Sequence, residues 1–179
     1  MPTEPDTPPA TVPVNRPVSA WRRFTQTVGW PALAAVAAWV GFSRHLVGTD
    51  GSHVLIYVLT LVPVLLIAGV MALAVPLRRK QVISARASAW FFFALGWGLV
   101  LGLFLPDEAA GPTAVVSVLF GEGWQGAESA VSNPAAVIMV FSMSMAAVFA
   151  WLDSRPGGPV RTHDEDHAQG TGYYPVLGE

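Results

Sequence analysis

The residues of this chain that can do chemistry are few and far apart. His45, Asp50 and His53 form one small polar group. Imidazole and carboxylate are zinc-type donors, but this spacing matches no metal motif. The plainer expectation is that Arg44 beside them extends toward lipid headgroups. Glu122, Trp124 and Glu128 form a second group, with glycines around them in "FGEGWQG", Phe120 to Gly126. A flexible glycine backbone can present an indole and two carboxylates to a ligand or partner. A tryptophan anchored at a membrane surface is the blander reading, and the favoured one. "HDEDH", His163 to His167, holds two histidines around three acids and reads as a solvated charge run rather than a metal site. Met139, Met143 and Met145 offer soft thioethers to copper, yet methionine serves far more often as flexible packing. Tyr173 and Tyr174 precede Pro175, Val176 and Leu177 in an otherwise polar stretch, and such groups can dock on a partner.

Larger constellations are missing from the sequence. With no cysteine, disulfides, thiolate zinc sites and thiol catalysis are excluded. There is no phosphate-binding loop, no G-x-S-x-G and no H-E-x-x-H, and the glycines of "GWGLVLG" lie inside an apolar run. A net charge of −2 gives no concentrated basic face for nucleic acid. No catalytic, cofactor-binding or metal-ligating residue is therefore expected.

The elements that must carry these residues are apolar. Only 12% of residues are charged and 53% are apolar, whereas a soluble domain carries about 25% charged residues. Four apolar runs stand out, at about 24–43, 54–77, 87–105 and 135–152. A helix needs roughly 20 residues to cross a bilayer, and backbone groups in lipid must bond within their own segment. The expected fold is an all-α integral membrane protein with four transmembrane helices over 24–152. Residues 1–20 and 153–179 read as disordered tails, the first proline-rich and unlike a secretory signal. Pro63 should loosen the second helix, and Ser132-Asn133-Pro134 reads as the cap and start of the fourth. The outer loop, 106–133, contains Pro112 to Phe120, which is too short to span. It would lie in the interface, dip back, or cover the helix ends.

Charge sets the expected orientation. With four spans, Arg16, Arg22, Arg23, Arg78, Arg79, Lys80, Arg86, Arg155 and Arg161 fall on one side and Arg44 on the other. Basic loops stay cytoplasmic, so both ends of the chain are expected in the cytoplasm. No ionisable residue lies deep in a run, which speaks against an ion-coupled carrier. Gly98 and Gly102 form G-x-x-x-G, and Ser142, Ala146 and Ala150 repeat small residues every four. Ala34 and Ala38, and Ala68 and Ala72, do the same. Small residues let membrane helices approach closely, and packing within one bundle is the expected use. The Arg-, Ala- and Gly-rich composition hints at a GC-rich bacterial genome, hence a bacterial cytoplasmic membrane. The leading expectation is a non-enzymatic accessory or assembly subunit of a larger membrane complex, with lipid and other subunits as partners. The alternatives are a small oligomeric transporter or channel, and a membrane enzyme using the outer histidines and acids.

Overall fold

A computed structural model of the chain describes residues 19–45, 54–105 and 114–155. It contains α1 (Ala20–Phe42), α2 (Val54–Arg78), α3 (Ala85–Phe104), the short α4 (Val115–Phe120), a 3-10 turn (Glu122–Trp124) and α5 (Gln125–Asp153). Among the described residues three stretches are long and apolar enough to cross a membrane: Leu55–Arg78, Ala85–Phe104 and Gly126–Asp153. The protein is thus an all-helical, multi-pass membrane protein.

Helices α1, α2, α3 and α5 pack as a ring in the order α1, α3, α5, α2. Their shared interior is closed by Leu33, Leu65, Leu73, Phe91, Met139 and Met143, all at most 2% exposed. Local chemistry sets the helix ends. Ser84 caps α3, its Oγ accepting from the N–H of Ala87 at 3.1 Å. Helix α2 ends in a Schellman turn: Gln81 N–H donates to Pro76 O at 2.9 Å and Lys80 N–H to Leu77 O at 3.0 Å. Lys80 takes the left-handed position of that turn, at φ +54°.

Polar side chains tie the helix ends across the bundle. Near the start of α1, Arg22 donates from Nε to Ile83 O at 2.7 Å and from Nη2 to Val82 O at 2.9 Å. Gln26 Nε2 reaches Gln81 O at 3.4 Å. At the other end of α1, Trp39 Nε1 donates to Leu99 O and Ser43 Oγ to Gly102 O, each at 3.0 Å. Helix α1 therefore runs parallel to α3 along its whole length. Helix α5 runs antiparallel to α3: Arg86 in the first turn of α3 meets Asp153 in the last turn of α5 at 2.7 Å. Arg79 Nη1 donates to Ser154 O, also at 2.7 Å, satisfying a carbonyl that the end of α5 leaves without a ladder partner.

One local expectation gives way to packing. The last helix begins at Gln125, not beside Pro134, which lies inside it. Glu128, Ser132, Ala135 and Met139 are all buried; at spacings of four, three and four they share one face, which carries the helix through. Pro134 removes the ladder bond to Ala130 O, but both residues are exposed, so the freed carbonyl faces outward. The described part of the apolar stretch ending at Phe120 begins at Ala114 and forms helix α4. Helix α4 packs against α3, with Val115, Val116 and Ser117 buried.

Candidate functional site

Two charged side chains are buried among the described residues, and both lie at the end of the bundle away from Arg22, Arg79 and Arg86. Arg44 is 2% exposed and Glu128 3%. Such groups are rarely buried unless partnered. Arg44 follows α1 and donates to the carbonyl of Leu105, the residue that ends α3. It does not extend to the headgroups, because this carbonyl lies within reach inside the protein. A cation at a helix C-terminus also meets the negative end of the helix dipole.

Glu128 sits in the first turn of α5, where the dipole favours a carboxylate. Its Oε1 accepts from Ala114 N–H at 3.2 Å and from the Ser117 hydroxyl. Ala114 is the N-cap of α4 and has no side chain to cap with. The carboxylate of another helix takes up this residue's own N–H and a hydroxyl of the first turn, and so ties α4 to α5. A hydroxyl on a carboxylate is also the arrangement of an activated nucleophile. Ser117 is only 3% exposed, however, which closes its oxygen to a substrate. The pair works as a strut.

The remaining candidates fall into three groups. Trp124 is 45% exposed and lies against Phe104 and Phe120, ring centroids at 6.2 and 6.3 Å. It stands at the surface while Glu128 turns inward, so the two do not share one open face. The Glu122 side chain, His53, Asp50, His163 to His167, Tyr173 and Tyr174 lie outside the described residues. Among the described residues no three His, Cys, Asp or Glu are placed to hold a metal. The methionines at 139 and 143 are core residues.

Gly98 and Gly102 are buried on the α3 face toward α1. An added Cβ would lie 2.6 Å from Val36 Cγ1 at Gly98 and 2.3 Å from Trp39 Nε1 at Gly102. Ser142 and Ala146 are fully buried on α5, whereas Ala34 and Ala38 face outward. Ser142 Oγ has no hydrogen-bond partner among the described residues. Ser142→Ala should therefore be neutral or raise stability by about 1 kcal/mol, read from the unfolding midpoint in detergent. A clear loss of stability would mean that the hydroxyl binds a group.

The Arg44–Leu105 and Glu128–Ser117 contacts went unforeseen from sequence. One signal for the second was present: Ser117 is a lone hydroxyl late in an apolar stretch, eleven residues before an acid. No family model, curated protein or solved structure matches the chain.

Proposed function

We propose that the protein is a non-enzymatic accessory or assembly subunit of a larger membrane complex. Its α1 forms a fourth span, and the Arg22–Arg79–Arg86 end faces the cytoplasm of a bacterial membrane. What supports the fourth span is the parallel course of α1 and α3, with polar contacts at both ends and apolar packing between. Positive-end-inside charge supports the orientation. A reporter fused beyond α5 should be active only on the cytoplasmic side.

The observation that carries the subunit reading is the filled interior. Side chains of the same bundle occupy each buried glycine notch among the described residues: Leu33 at Gly69, Leu73 at Gly29, Val58 and Val62 at Gly41, Val36 at Gly98 and Trp39 at Gly102. Close packing of this kind rigidifies a bundle and leaves its outward surface to act. Helix α2 exposes Leu55, Leu59 and Ile67 at 64–66%, an apolar face open to lipid or to another membrane helix. The test is gentle detergent extraction of the native membrane with a tagged chain. A stoichiometric membrane partner is expected to co-purify. A well-behaved lone species that conducts ions or metabolites in liposomes would instead establish the transporter reading.

A further inference from the structure

The cytoplasmic-type end described above carries more positive charge than its internal contacts use. Arg22, Arg23, Arg78, Arg79, Lys80, Arg86 and Arg155 lie there, against Asp153 as the one acid among the described residues. Arg22 and Arg79 are committed to carbonyls, and Arg86 to Asp153 and to the ring of Phe149, 3.9 Å below its guanidinium. The guanidinium carbon of Arg155 lies over the Trp151 ring, 3.6 Å from its centroid, and the side chain is exposed. The side chains of Arg23, Arg78 and Lys80 are exposed and meet no acid among the described residues.

A second observation fixes the depth of this rim. Trp21, Phe24 and Phe92 stack on one another at 5.0–6.1 Å, with Trp21 and Phe24 both 47% exposed. Trp151 is 42% exposed on α5 at the same end. Tryptophan is enriched at the boundary between hydrocarbon and headgroups. The cations Arg22, Arg23 and Arg155 follow these tryptophans within four residues.

Lys80 is the third. Its left-handed position at the end of α2 is one that glycine fills at no steric cost. The chain's single lysine stands there instead, and a strained residue kept at such a site points to a use for its side chain.

We propose that Arg23, Arg78 and Lys80, flanked by Arg155, bind anionic phospholipid headgroups of the adjacent leaflet. The complementarity is of charge and of place: phosphate anions lie at that depth in the bilayer, and each surface cation strengthens the attraction about fivefold. This rests on the bilayer assignment alone and not on the subunit reading. A protein that purifies without a partner still carries the rim, and a rim indifferent to lipid charge leaves the subunit reading standing.

The test uses the full chain, delipidated in neutral detergent and titrated with phosphatidylglycerol or phosphatidylcholine of matched acyl chains. Native mass spectrometry counts the bound lipid. Phosphatidylglycerol should bind about a hundredfold more tightly than phosphatidylcholine, less so as salt rises. Lys80→Gly should lower its affinity about fivefold. That substitution relieves the backbone at φ +54°, so an unfolding midpoint at or above the parent's separates lost charge from lost fold. Arg23→Gln, Arg78→Gln and Lys80→Gly together should bring the two lipids level. Equal binding by the parent chain, full preference in the triple variant, or displacement of the lipid by inorganic phosphate would each overturn the proposal.

Discussion

Glu128→Ala is expected to lower stability by about 2–4 kcal/mol, among the largest effects of any single change in this protein. The carboxylate is 3% exposed and accepts two donors, Ala114 N–H and the Ser117 hydroxyl. Truncation leaves both donors buried with no acceptor, and unsatisfied buried groups cost about 1–3 kcal/mol each. Glu128→Gln keeps one carbonyl oxygen in place and should lose only about half as much. The readout has two parts. The unfolding midpoint in detergent should fall in the order parent, Gln, Ala. Helix α4 should become cleavable by protease in the alanine variant before the bundle unfolds, because the contacts to Ala114 and Ser117 that are lost hold α4. Equal midpoints for all three proteins would show that the carboxylate holds nothing.

Gly102→Ala should cost about 2–3 kcal/mol. The new methyl carbon would stand 2.3 Å from Trp39 Nε1 and 2.5 Å from Cδ1 of the same ring. A rigid indole cannot yield as a leucine tip can. It must leave, and its hydrogen bond to Leu99 O at 3.0 Å leaves with it. Gly96 supplies the control within the same helix. It is exposed, and no atom lies within 4 Å of a Cβ added there. Gly96→Ala should stabilise α3 by about 0.5–1 kcal/mol through backbone entropy. Opposite signs at positions 96 and 102 would localise the effect to the Trp39 contact. If both substitutions stabilise, α1 does not lie where the structure places it.

The spans were legible because their signal is local. Twenty uncharged residues in a row need no tertiary knowledge to be read. The arginine cluster was legible for the same reason, as a bias between loops. What each arginine does was not. Arg22 and Arg79 act on carbonyls 61 and 75 residues away, and only the packing of α1 against α3 and of α2 against α5 brings those groups together. Arg44 shows the limit clearly. Taken alone, a long basic side chain at a helix end is expected to reach the headgroups; here the end of α3 offers it an acceptor first. At Pro134 the local signal was sound and still lost, because burying Glu128 and Ser132 outweighed one ladder bond surrendered on the exposed side. Trp39 attracted no notice among the seven tryptophans of the chain, since its role exists only once Gly102 is opposite.

The parallel pairing of α1 with α3 also orders events during synthesis. Trp39, Ser43 and Arg44 are translated about sixty residues before the carbonyls they bind. At roughly 5–20 residues per second, that is a delay of about 3–12 seconds before the Trp39 indole and the Ser43 hydroxyl can meet those carbonyls. The second helix can pack against the first as soon as it is made, but the polar contacts at the far end of the first wait for the third.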